Sequence, residues 1–128
     1  MAKPIDIAGE VSQMKFLDDR NRFSDTTGVF ARLGEYRGDS MISAGGFSGT
    51  SQWERHPNGD EIVQIIKGAT KVTLLTEDGP EEHQLEAGMF IVVPQNTWHQ
   101  FNAPDGVTLM TTTPQPTEHI EDDEPPAG

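Results

Sequence analysis

From Val29 onward the chain is cut into short pieces, and this limits its fold more than any other feature. Runs rich in β-formers recur at about 41–48, 51–56, 61–67, 70–76, 82–86, 89–93, 98–102 and 107–113. The breakers between them are Gly49, Pro57-Asn58-Gly59, Gly68, Asp78-Gly79-Pro80, Ala87-Gly88, Pro94-Gln95-Asn96 and Pro104-Asp105-Gly106. Short strands at this spacing, with no helical period between them, predict an all-β antiparallel sandwich or barrel. A jelly roll protects most of its sheet edges and lines its interior with alternate side chains.

Alternation then assigns faces, because successive strand residues point to opposite sides. If Glu61 points inward, so do Val63 and Ile65, which makes a polar mouth above an apolar floor. If His99 points inward, so does Phe101, while Trp53, Gln64 and Trp98 face away. The outward set Ile62, Ile66, Phe90, Val92 and Trp98 is too apolar to face water on a small sandwich. A covering surface is therefore expected from residues 29–33, from the amino terminus or from a second subunit.

The stretch Trp53 to Gly68 carries the chemistry. Glu54 and His56 lie two apart on one strand and point the same way. Pro57-Asn58-Gly59-Asp60 has turn composition, with an Asn-Gly pair that tolerates positive φ, so Glu61 opens a returning strand beside the pair. A second turn, at Pro94-Gln95-Asn96, leads into a strand carrying His99. Two imidazoles and two carboxylates can meet inside one sheet structure, which is ligand chemistry for a divalent metal.

These residues resemble the two motifs of the cupin superfamily. The first cupin motif runs Gly, five residues, His-x-His, three or four residues, Glu, six residues, Gly; the chain has Glu54-x-His56, four residues, Glu61, six residues, Gly68. The second runs Gly, five residues, Pro-x-Gly, two residues, His, three residues, Asn; the chain has Gly88, five residues, Pro94-x-Asn96, two residues, His99, with Asn102 one place early. The likeness covers about residues 41–113 and implies a small single-domain cupin, a double-stranded β-helix or jelly-roll barrel. It places His56, Glu61 and His99 at matched metal-ligand positions. Glu54 stands where the family has its first motif histidine; it is a fourth ligand, a partner of a bound water or an acid–base group. A solvent salt bridge to Arg55 or Arg37 is the purely structural alternative. Asn96 replaces a motif glycine and also tolerates the left-handed conformation. The resemblance implies a divalent cofactor (iron, manganese, zinc or nickel) and a homodimer formed by sheet packing.

Outside the barrel, Asp6 caps a short helix to about Gln13 with Ile7, Val11 and Met14 as its apolar stripe. Residues 1–28 are thus a short amino-terminal helix or arm, 29–116 the cupin barrel domain and 117–128 an acidic disordered tail. Residues 18–25 read as a loop without chemistry, and His83 as an exposed residue. The tail holds five acids and no Lys or Arg, leaving 16 of the 21 acids against all nine bases in the body. A net charge of −12 argues against nucleic acid and anionic membrane partners. With no cysteine there is no disulfide framework, thiolate ligand or thiol nucleophile. Neither a Gly-x-Ser-x-Gly nor a phosphate loop is present. No apolar run approaches the ~20 residues of a membrane span, so the cytoplasm is the default location.

The expected function is a metal-dependent enzyme on a small polar molecule, isomerase- or lyase-like with Glu54 or Glu61 as the catalytic proton carrier, or dioxygenase-like with iron. The alternative is a non-catalytic cupin that binds or senses a small-molecule ligand.

Overall fold

The structure, a computed structural model, describes residues 2–120 and 126. One short helix, α1 (Ile7–Ser12), precedes nine strands: β1 (Leu17–Arg20), β2 (Phe30–Tyr36), β3 (Ser40–Thr50), β4 (Trp53–Arg55), β5 (Glu61–Thr76), β6 (Gly79–Glu86), β7 (Phe90–Val93), β8 (His99–Pro114) and β9 (Glu118–Ile120). The Asp6 side chain accepts from the Gly9 N–H at 3.1 Å, as a helix cap should. Ile7, Val11 and Met14 are half-buried while their neighbours face solvent. None of the described helices is long and apolar enough to cross a membrane.

The strands form one curled sheet with β8 as its spine, antiparallel to β3, β4 and β5. β2 lies on the first half of β3 and β1 runs parallel to the second half. On the far side of β5, β7 pairs with its start and β6 with its end. The enclosed core contains Phe47, Val63, Ile65, Val72, Leu74, Phe101 and Leu109, all buried. Burial alternates along β5 from Glu61 as the strand period requires, with Glu61, Val63 and Ile65 inside and Ile62 and Ile66 outside.

Three of the expected breaks lie inside strands instead, the first of them Gly49 within β3. β5 continues through Gly68 and β8 through Pro104-Asp105-Gly106, with register shifts at both places. Gly68 (φ +78°) and Gly106 (φ +97°) occupy left-handed backbone and approach each other so closely that a Cβ on Gly68 would strike the Gly106 carbonyl. Glycine at such a point makes a bulge that folds a long strand over the barrel edge without ending it. The Asn58-Gly59 pair differs too: neither residue has positive φ, and Asn58 serves through its side-chain amide, which donates to the Gln115 carbonyl at 2.8 Å.

The tail boundary also moves. Glu118–Ile120 pair with β4, and Glu118 holds Arg55 at 2.6 Å, so backbone and charge partners order residues that composition alone assigns to a solvated tail. The remainder of that tail, 121–125, 127 and 128, lies outside the described residues. Residues 18–20, read as loop, are strand: Leu17 and Arg20 pair with β3, and the pairing turns Arg20 into the interior.

Candidate metal centre

The site sits where the two motif turns clasp each other. The Asn96 N–H donates to the His56 carbonyl at 3.0 Å. The Gln95 N–H donates to an Asp60 carboxylate oxygen at 2.8 Å, and the Gln95 side-chain amide to the Pro57 carbonyl at 2.7 Å. Asn96 adopts φ +60°, the left-handed turn its side chain tolerates. Upstream of β4, Ser51 exchanges two bonds with Phe101, its N–H to the Phe101 carbonyl and its Oγ accepting the Phe101 N–H, both at 2.9 Å. This docking sets Glu54 directly opposite His99 on the same face of the sheet.

Four side chains converge there. Glu54, His56 and His99 each bring one ligand atom to within 4.8 Å of the others, a group able to hold a metal ion. The Glu61 carboxylate lies against both rings, with Oε2 3.2 Å from His56 Nε2 and Oε1 3.2 Å from His99 Nε2. Ligands at about 2.1 Å from one ion in neighbouring octahedral positions stand about 3 Å apart, so this spacing fits a shared cation. His56, His99 and Glu61 are buried, whereas Glu54 is half-buried and open to a cavity.

The hydrogen bonding around the cluster supports the same fit. His99 Nδ1 lies 3.0 Å from the Thr97 carbonyl; a carbonyl only accepts, so Nδ1 carries a proton, and Nε2 is the nitrogen turned to the cluster, with a lone pair whenever the ring is neutral. His56 Nδ1 lies 3.1 Å from the Thr117 hydroxyl. Thr113 Oγ1 donates to Glu61 Oε2 at 2.6 Å, fixing the carboxylate. Yet His56 Nε2, His99 Nε2 and Glu61 Oε1 are buried without a hydrogen-bond partner. His56 Nε2 and His99 Nε2 each lie 3.2 Å from a Glu61 oxygen, an ion-pair distance, without the geometry of a hydrogen bond. Buried polar atoms left this way are unfavourable, and a cation satisfies all three.

Electrostatics follow from this packing. Burial disfavours the Glu61 carboxylate, but contacts with His56 and His99 outweigh it and hold the pKa down to about 2. Burial alone would lower the His99 pKa; the Glu61 carboxylate, with Glu54 and the Thr97 carbonyl, instead raises it above the ordinary 6.5. The cluster is thus an anionic hollow that favours positive charge.

A cavity of about 320 Å³ opens onto the cluster, lined among others by Arg20, Gln52, Glu54, His56, Phe101 and Thr113. Arg37 and Arg55, the residues expected as partners for Glu54, pair instead with Asp39 at 3.4 Å and Glu118 at 2.6 Å. Glu54 faces Arg20 at 3.8 Å. Arg20, Thr113 and Thr117 are the participants that motif reading missed. Thr113 was reachable, since Leu109, Thr111 and Thr113 continue one inward face; Arg20 was not, because its parallel pairing with β3 has no local signature. His119, assigned to the tail, lines the cavity and pairs in register with Glu54. His83 is exposed, as expected. Trp53 and Trp98 are buried, and the Arg55 guanidinium lies 4.6 Å over the Trp98 ring, covering a residue expected on the open outer face.

Comparison with known proteins gives one family and one fold. The Cupin domain family matches residues 41–112. An uncharacterized protein, L612, of Acanthamoeba polyphaga mimivirus is 41% identical over 49 residues, 38% of this chain and only 30% of the viral protein. The solved structure of protein NMB1881 from Neisseria meningitidis superposes with a TM-score of 0.66 at 16% identity, covering 88% of this chain and 100% of that one. Hydroquinone 1,2-dioxygenase from Sphingomonas sp. TTNP3, solved with 4-hydroxybenzoate bound, superposes with a TM-score of 0.57 at 18% identity over 66% of this chain and 64% of that one.

Proposed function

The chain belongs to the cupin domain family, and from that premise we propose that it is a metal-dependent enzyme acting on a small polar organic molecule in the barrel cavity. The observation that carries this reading is the set of unpartnered buried atoms, His56 Nε2, His99 Nε2 and Glu61 Oε1, beside the Glu54 carboxylate. A divalent ion held by Glu54, His56, Glu61 and His99 would supply Lewis-acid polarisation of a ligand oxygen. The protein's own share is positioning. Thr97 and Thr117 orient the rings, and Thr113 fixes Glu61. Glu54 is the more exposed of the two carboxylates that line the cavity and so the group placed to take or return a ligand proton.

Dioxygenase-like chemistry draws support from the fold shared with hydroquinone 1,2-dioxygenase, and isomerase- or lyase-like chemistry from a second carboxylate beside the first, which suits harder ions such as manganese. Elemental analysis of protein purified without chelators tests the reading: about one metal per chain is expected. Iron with oxygen consumption selects the first chemistry; manganese, zinc or nickel selects the second. Metal-free protein whose ligand-induced melting shift is unchanged by His56→Ala would return it to a non-catalytic binder.

We propose also that the chain pairs with a second copy. Ile62, Ile66, Phe90 and Val92 form an exposed apolar strip on β5 and β7, and α1 packs instead against β2 and β3. Sedimentation velocity should give a dimer, and Phe90→Glu with Ile66→Glu a monomer that keeps the same metal content. A monomeric wild-type protein would remove the proposal.

A further inference from the structure

Arg20 stands apart from the other cations of the chain. Its side chain is 7% exposed; its guanidinium lies 4.6 Å over the Phe47 ring and 5.7 Å over the Phe30 ring. The backbone is bent to place it there. Asp19 adopts φ +53°, uncommon for a residue other than glycine, and its N–H donates to Ser48 Oγ at 2.9 Å. Gly49 (φ +95°) lacks the Cβ that would strike the Arg20 backbone. Among the described residues the ion-pair partner of Arg20 is Glu54, at 3.8 Å, beyond hydrogen-bond distance. A guanidinium carries five N–H donors in a planar fork that matches a carboxylate. The Arg20 donors are not among the buried unpartnered atoms of the described residues; they open onto the cavity that Glu54, His56 and Glu61 also line.

We propose that Arg20 anchors the carboxylate of a small anionic ligand, whose second oxygen function then reaches the Glu54–His56–Glu61–His99 cluster. This rests on the metal-dependent reading above and names its substrate class: small carboxylic acids bearing a further hydroxyl or carbonyl oxygen. Charge balance agrees. With a divalent ion in place, two carboxylates and one guanidinium leave a single net positive charge, which one carboxylate neutralises. The cavity of about 320 Å³, at the small end for ligand sites, admits a compact acid and excludes a polymer.

The test is calorimetric titration of the manganese-loaded full chain with lactate and with its neutral isostere lactamide, with metal content and thermal melting measured on the same samples. Wild-type protein is expected to bind lactate at least about tenfold more tightly than lactamide. Arg20→Gln should weaken lactate by about 10- to 100-fold, the range for a lost charge-assisted contact, with lactamide affinity and metal content unchanged; Arg20→Lys should fall between. Equal binding of the two ligands by wild type, or unchanged lactate affinity in Arg20→Gln, overturns the anchor. Loss of metal in Arg20→Gln also overturns it, because Arg20 would then serve only to hold Glu54. Should Arg20→Gln not fold, Arg20→Lys decides by the same criteria, since it keeps the charge and loses the fork. Should the wild type take up no metal, the metal reading fails by itself, and titration of the metal-free protein decides the anchor: lactate binding that Arg20→Gln abolishes supports it, and its absence overturns it.

Discussion

His99→Ala is expected to abolish stoichiometric metal uptake, lowering affinity by well over 100-fold, while the exposed His83→Ala leaves uptake unchanged. Losing even a residue that merely orients a ligand costs about 10- to 100-fold, and His99 offers its own Nε2 to the cluster from a fully buried position. Competition against a metal chelator measures the change, and a His99→Ala protein that keeps its metal would sink the proposed centre. The same residue sets a pH signature. Protons compete with metal at His99, so affinity should fall as pH drops through its raised pKa. The metal-free protein should behave in the opposite sense. A raised histidine pKa stabilises the fold below the unfolded value of about 6.5, and that stability is lost as pH climbs through the folded value. Glu61 adds stability present above its ordinary 4.5 and lost only as pH falls toward about 2, so it does not blur that window. Melting curves with and without metal between pH 6 and 8 should therefore shift in opposite directions.

Gly68→Ala is expected to destabilise the barrel by about 2 to 5 kcal/mol, the sum of left-handed strain and a steric clash. At φ +78° the new Cβ meets the Gly106 carbonyl, part of a backbone that is itself bent at φ +97°. Neither strand can move without unpicking the β5–β8 pairing that carries Glu61 on one strand and His99 on the other. Gly79→Ala is the control: φ is +110° but nothing lies within 4 Å of a Cβ there, so only strain of about 1 to 2 kcal/mol applies. Chemical denaturation of both variants compares them, and equal losses would show that the close approach at Gly68 carries no weight.

The same two places show how far sequence reading reaches. Gly68 and Gly106 are legible as punctuation, yet whether glycine ends a strand or bends it depends on what lies opposite: the Gly106 carbonyl against Gly68, and the Phe16 ring against Gly106. Glu118–Ile120 read as solvated tail because their partner, β4, is over sixty residues away. Glu54 could be placed on the face of His56 by counting in twos, but its neighbour Arg20 comes from a segment with neither motif nor period.

By itself the sequence determined an all-β fold, the inward faces of β5 and β8, and the placing of His56, Glu61 and His99 on inward-facing strand positions, because strand alternation and turn chemistry act over a few residues and are written locally. Only the tertiary structure decided that Glu54 joins those residues, that Thr113 and Thr117 hold them, and that a buried arginine overlooks the cavity. Those contacts join residues about 30 to 60 positions apart, and such pairings are selected by how the whole sheet curls, a property no short window of sequence contains.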